Sequence, residues 1–466
     1  MIAILLSGCI LFPPFWFPTD PIGPGSQIVV ANDTDADWVL TLGGEFGSAF
    51  AIGAGDVGTV DTFGMEPQEL VLLDPDCAEV DRLDWDASAE SVRITDPGTL
   101  SVTDEAPPDA DTVFIEYFDC FEESFGAPPE PGTALPEAGG AILLSTDDGS
   151  AYILDVASAT VTPLGEKAGD LYDIEHAWSP DGSHVAFSRA SMSDFETGVY
   201  VANADGSGAE LLVEDASSPR WSPDGTAIAY LGTDPFAGGS VLSVIEVDAG
   251  EPLELSEDGS PASWSPDGQR IAFMSVPGLD TSFEVPPGEL RIVNADGSGL
   301  ETLADAAPFA PPPAWSPDGS RLAFVALAEG ADPGSFDVET VIAVHDLGTG
   351  ETSVLAAVDG AGLGEPTWSP DGETIAFTIM TASLLGSSGA LATVTATGGP
   401  ITRVIESSAT LFSTPLWSPD GEWLAVARAD DSYLTGELIA IRPDGTDETV
   451  LATGLVYATT WRANPP

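Results

Sequence analysis

A chain of 466 residues with 43% hydrophobic content is globular, and long enough for a large core plus a smaller domain. Its 76 acidic residues against 12 basic ones give a formal net charge of −64, with Lys167 the one lysine. Such a field repels phosphate backbones and anionic lipid, which excludes nucleic acid as a partner and leaves membrane attachment to a covalent lipid only. The acidity fits a strongly solvated exported surface; a saline habitat or attraction of cations is the other reading. Gly 50 and Pro 39 suit many short strands joined by turns.

Residues 1–26 read as a signal and tether. The stretch Leu6-Ser7-Gly8-Cys9 resembles a bacterial lipobox, in which small residues precede a cysteine that becomes lipidated. The apolar run ahead of Cys9 is short and lacks a basic residue, as expected if translation starts further upstream. This makes the chain an exported lipoprotein at the cell envelope or cell surface. With Cys9 used for lipidation, Cys77 and Cys120 remain as a pair, and in an exported protein such a pair is expected to form a disulfide. Closing that loop would contribute about 3–5 kcal/mol in the chain-entropy view.

Residues 27–120 read as a small β-sandwich-like domain. Runs such as 27–31, 37–41, 69–73, 91–95 and 111–117 are rich in β-branched and aromatic residues and show no helical stripe. Asp33, Asp35 and Asp37 alternate like the opening of a calcium loop. However, Trp38 stands where that loop needs glycine and Gly44 where it needs glutamate, so a solvated turn is expected. No cofactor is expected, and calcium is the one metal alternative. Residues 121–140 have the Pro, Gly, Glu and Ala content of a linker.

From residue 141 to 466 the chain is repetitive. Trp-Ser-Pro-Asp-Gly begins at Trp178, Trp221, Trp264, Trp315, Trp368 and Trp417, and a seventh tryptophan, Trp461, follows without the motif. A period in the forties to fifties is a propeller signature. Proline presets a turn, aspartate bonds its own backbone and glycine takes the left-handed conformation, so each motif predicts a tight hairpin. A strand follows each one, as in His184-Val-Ala-Phe187 or Arg321-Leu-Ala-Phe324, with an alanine third, leaving room for a neighbouring blade. Two further strands complete a four-stranded blade. Ala141–Ser145 supplies one more second strand, and Val456–Trp461 would supply its missing first strand. The expectation is therefore an all-β chain with a seven-bladed β-propeller; six blades is the alternative.

These pentapeptides and the strands after them resemble the TolB-type β-propeller repeat, over about two-thirds of the chain. The resemblance implies a propeller and a protein-binding role in the envelope. The domain ahead of the propeller departs from that family, where it is α/β, and so does the lipid anchor.

The loops between second and third strands vary most. Five of them carry an aromatic, Phe195, Phe236, Phe283, Phe336 and Tyr433, beside acids such as Asp194, Asp234, Asp280 and Asp431. One reading is a rim that grips a protein or polysaccharide of the envelope; the other is that each ring folds back over its own blade. No catalytic residues are assigned. The three histidines, His176, His184 and His345, are few for acid–base work, and His176 is the one placed to face the loop side. The runner-up is a propeller-based enzyme, a sugar-acid lyase or a peptidase relative.

Overall fold

The computed structural model describes residues 128–463 apart from 147, 166–170, 192–196, 234–239, 249, 276–286, 332–338, 384–385, 408–409, 431–435 and 455; within residues 27–113 it describes the backbone of nine strands. Residues 15–127 form one compact unit and residues 128–466 belong to the other. Every element among the described residues is a strand.

The smaller unit holds two sheets. One runs Thr99–Thr103, Ser91–Thr95, Gln27–Asn32, Val57–Asp61, Thr112–Val113, and Gln27–Asn32 pairs in parallel with Ser91–Thr95. The other is antiparallel, in the order Ala49–Ile52, Trp38–Gly43, Glu69–Leu73, Glu79–Asp84.

The larger unit is a propeller of seven blades. Blade 1 pairs the C-terminal strand Val456–Arg462 with Ala141–Thr146, followed outward by Ala151–Asp155 and Thr160–Pro163. Blade 2 runs Leu171–Trp178, His184–Ser191, Thr197–Asn203, Glu210–Glu214. Blades 3 to 7 repeat this order, their first strands ending at Trp221, Trp264, Trp315, Trp368 and Trp417. First strands of successive blades touch at every step, including blade 7 to blade 1 and blade 1 to blade 2, so the ring is closed. Pairing the C-terminal strand into the first blade gives Ala141–Thr146 its inner partner and closes the ring.

The segment read as linker contributes to this unit. Glu130–Pro131 pairs with Thr449–Thr453 as a fifth, outermost strand of blade 7. Leu135 and Ala138 are buried beside Leu154 and Trp423. Proline is admissible there because an edge strand can leave one side of its backbone unpaired.

Each Trp-Ser-Pro-Asp-Gly unit closes on itself. In blade 5, the Ser316 hydroxyl donates to Asp318 Oδ1 at 2.6 Å, and that oxygen also accepts from the Ser320 amide at 3.0 Å. The Arg321 amide donates back to Ser316 Oγ at 2.9 Å. Gly319 takes φ 70°, open to glycine alone without strain. The turns also abut one another: a Cβ on Gly319 would stand 3.6 Å from Pro266 of the preceding blade, and one on Gly372 3.4 Å from Pro317.

Tryptophan joins the blades. The indole N–H of Trp221, Trp264, Trp315, Trp368 and Trp417 donates to the carbonyl just before the preceding blade's tryptophan, at 3.1, 3.0, 2.9, 3.0 and 3.2 Å. Alanines at the third place of the second strands, Ala186, Ala229, Ala272, Ala323, Ala376 and Ala425, are all at 0% exposure and leave room for this approach.

The seam between blades 1 and 2 differs. Leu143 stands where the other blades have alanine and packs on Trp178. Among the described residues Trp178 Nε1 finds no acceptor, and neither Thr459 Oγ1, Thr460 Oγ1 nor Arg462 Nε has a partner. Arg462 compensates by lying 3.7 Å over the Trp178 ring while its Nη1 donates to Gly182 O at 3.1 Å. Arg270 and Arg321 do the same to Trp315 with Gly319 and to Trp368 with Gly372.

Two outcomes are expected. Trp315→Phe should cost about 1 kcal/mol more than Trp178→Phe in urea unfolding, because only Trp315 loses an indole hydrogen bond. Hydrogen bonding to the turn holds the Asp181 and Asp318 carboxyls down to about 2 from an ordinary 3.8, led by the Ser183 amide for the first and the Ser316 hydroxyl for the second. Their contribution is therefore complete above 3.8 and lost as pH falls towards 2. The melting temperature should drop across that window, and Asp318→Asn should make the drop shallower.

Candidate functional site

Antiparallel order puts the Pro-Asp-Gly turns on one face of the ring and the second-to-third-strand loops on the other. The first strands run between the faces around the axis. Three residues before each tryptophan stand Glu175, Ser218, Pro261, Pro312, Glu365, Thr414 and Ala458; one residue before stand Ala177, Arg220, Ser263, Ala314, Thr367, Leu416 and Thr460.

In blades 2 and 3 the first strand bulges at the earlier of these positions. Glu175 and Ser218 there take φ 59° and 57°, a conformation uncommon for residues other than glycine. The bulge turns Glu175 into the seam, where it is 5% exposed. Its Oε2 accepts from Ser188 Oγ at 2.6 Å and from the Ser218 amide at 2.5 Å, and its Oε1 from Ser218 Oγ at 3.0 Å. A buried carboxylate with three donors is a satisfied clasp between blades.

Glu365 repeats the pattern in blade 6, accepting from Thr414 Oγ1 of blade 7 at 3.1 Å. It is half-buried, and desolvation raises its pKa; Arg220, then the Thr414 hydroxyl, oppose the shift. Arg220 belongs to blade 3. Arg220 Nη1 donates to Pro219 O at 3.0 Å.

His176 does not face the loop side. It is 2% exposed, with Nδ1 3.0 Å from Ser145 Oγ and its ring stacked on Phe187 at 5.6 Å. Burial lowers its pKa to about 4 against the pull of Asp173, so it is neutral at ordinary pH. Asp173 forms a two-pronged ion pair with Arg189, both bonds 2.6 Å. His345 is 3% exposed and bonds Thr352 Oγ1 through Nδ1 at 2.9 Å; His184 bonds Ser183 Oγ. Among the described residues no group of three His, Cys, Asp or Glu is placed to hold a metal ion.

Phe195, Phe236, Phe283, Phe336, Tyr433, Asp194, Asp234, Asp280 and Asp431 all lie outside the described residues, as do Cys9, Cys77, Cys120 and the 33–37 aspartate alternation. Sequence reasoning passed over Glu175, Arg220 and Glu365. Aligning the repeats on tryptophan would have shown them, because two glutamates share one column and a lone arginine stands two residues on.

The TolB β-propeller domain family matches residues 279–432. The Tol-Pal system protein TolB of Alcanivorax borkumensis is 32% identical over 93 residues, 20% of this chain and 20% of that protein. The TolB of Aromatoleum aromaticum is 42% identical over 77 residues, 16% of each chain. The match thus spans a fifth or less of these relatives. Among solved structures, a prolyl endopeptidase superposes with a TM-score of 0.53 at 16% identity, over 74% of this chain and 52% of that one, which shows a shared propeller fold. The chain carries a TolB-type propeller of seven blades.

Glu175→Ala should lower stability by about 1–3 kcal/mol, because the Ser218 amide and two hydroxyls lose their acceptor inside the seam. Denaturant unfolding against wild type checks it, with Glu254→Ala on an outer strand as a near-neutral control.

Proposed function

We propose that this chain is an exported, non-catalytic protein, held at the cell envelope by a lipid on Cys9, whose propeller binds an envelope protein through its loop face. One observation carries the choice of face. On the turn face, serine, aspartate and proline of each motif are occupied by the turn itself and by the next blade. Second and third strands are joined at the opposite face, and variable loops on a rigid scaffold are where binding resides. The family of the propeller supports an envelope protein as partner, and an envelope polysaccharide is the other ligand the experiment distinguishes. The three histidines, held in structural bonds, support binding over catalysis.

Replacing Phe195, Phe236, Phe283, Phe336 and Tyr433 by serine should abolish capture of a protein partner from solubilised native membranes while leaving the melting temperature within a few degrees. Capture that persists refutes the loop face. Capture of protease-resistant polysaccharide in place of protein would overturn the partner class. Cys9→Ser should move the chain from the membrane to the soluble fraction.

A further inference from the structure

The dipeptide Asp-Gly occurs twelve times in the chain, always within the propeller. Eleven of the twelve share two features. Their aspartate carboxylate accepts a hydrogen bond, as Asp205 does from the Ser207 amide and Asp444 from the Thr446 amide, both at 3.0 Å. Their glycine amide donates to a main-chain carbonyl at 2.8–3.1 Å. Asp359-Gly360 departs in both. Asp359 is exposed, and its carboxylate accepts no hydrogen bond among the described residues. The Gly360 amide donates to a carboxylate, Glu339 Oε1, at 3.1 Å. Space is a third contrast: a Cβ on Gly360 would meet no atom within 4 Å, whereas one on Gly149 would stand 2.6 Å from Tyr172 Cα and one on Gly206 2.3 Å from Gly165 N.

These differences bear on one reaction. The amide nitrogen that follows an aspartate can attack that aspartate's own Cγ and close a cyclic imide, and glycine permits the approach because it has no side chain. The reaction needs a carboxyl free to rotate and to take up a proton, a base for the amide proton, and room for the ring. The motif turns withhold the first. Hydrogen bonds hold the Asp181 and Asp318 carboxyls ionised down to about 2, and an ionised carboxylate is a poor electrophile. At Gly360 the amide and a base are already in contact, so no entropy is lost in bringing them together.

We propose that Asp359-Gly360 is a self-modifying site that converts to an isoaspartyl linkage, with Glu339 as the base. Gly360 N bonds to Asp359 Cγ as its proton passes to Glu339. The Cγ–OH bond breaks, Glu339 returns the proton, and water leaves. Solvent water then cleaves the imide at the Asp359 main-chain carbonyl, so that the chain runs through Cγ and the former main-chain carbonyl becomes a free carboxylate. One water is lost and one gained, and neither mass nor charge changes. The backbone gains a methylene between the strand Glu351–Ala357 and the buried Ala361 and Leu363. That lengthening works against two bonds, Ala361 amide to Val358 carbonyl at 3.3 Å and Leu363 amide to Thr340 Oγ1 at 2.7 Å. The site lies in the connection from blade 5 to blade 6 and does not depend on the loops proposed to bind the partner.

The test is to age the full chain for several weeks at neutral pH and physiological temperature, then locate isoaspartate by peptide mapping with electron-transfer fragmentation, which separates the two linkages of equal mass. Isoaspartate should accumulate at residue 359 at least roughly tenfold faster than at any other Asp-Gly, and Glu339→Gln, which keeps the shape but not the base, should slow it about tenfold. In concentrated urea, where the turns are gone, all twelve should react at rates within a few-fold of one another. An even spread over the folded chain, a different Asp-Gly leading, no isoaspartate at residue 359, an unchanged rate in Glu339→Gln, or a preference for residue 359 that persists in urea overturns the proposal. Should Glu339→Gln fail to fold, the comparison of folded and urea-unfolded wild type decides alone.

Discussion

The indole N–H of one blade reaching a backbone carbonyl of the blade before it is the interaction on which the ring depends. A blade alone is a four-stranded sheet with two apolar faces, and it must bury both against neighbours. Burial is non-directional and would tolerate sliding. The hydrogen bond at 2.9–3.2 Å fixes the height and tilt of each blade on the next, because the carbonyl is at one fixed place beside the next tryptophan. Alanine in the second strand follows from this: a larger side chain would hold the indole off its acceptor.

Blade 1 shows what happens when that column changes. Leu143 is larger, Trp178 has no acceptor, and the buried polar side-chain atoms without partners among the described residues are confined to this seam. Arg462 follows Trp461 directly, where the motif blades have serine, yet its guanidinium occupies the place that Arg270 and Arg321 reach from the start of a second strand. Gly182 must remain glycine for this, since a Cβ there would stand 1.6 Å from Arg462 Nη1. Two different backbone origins thus deliver the same stacking of guanidinium on indole, which points to a requirement of ring closure and not to inheritance of the repeat.

The propeller was legible because its signal is covalently local and repeated. Proline, aspartate and glycine announce each turn, and strands such as Glu210–Glu214 fall next to where their apolar runs begin. The four strands of the smaller unit that were not anticipated, Ala49–Ile52, Val57–Asp61, Glu79–Asp84 and Thr99–Thr103, are short, and Val-Gly-Thr-Val-Asp or Glu-Val-Asp-Arg-Leu-Asp lacks a run of β-formers; pairing with neighbours makes them strands. Residues 130–138 were read as linker for a similar reason. Composition registers prolines and glycines, but Leu135 and Ala138 are buried through contacts with residues far away in sequence. His176 was misplaced because a strand alternates sides with period two, and the bulge beside it resets that alternation.

The same bulge explains why a seam between blades carries a polar clasp that the motifs do not advertise. In a regular first strand, residues one and three before tryptophan would point to the same face of the sheet. The left-handed turn at Glu175 rotates that carboxylate into the seam, where Ser188 and Ser218 receive it. At Glu365 the sheet is interrupted between Leu363 and Thr367, and the Thr414 hydroxyl of the neighbouring blade donates to the carboxylate. Two glutamates in one repeat column therefore bind the next blade to different degrees: Glu175 is buried with three donors, and Glu365 is half-buried with the Thr414 hydroxyl. The difference lies in the backbone beneath each carboxylate, a level at which the repeat is least uniform.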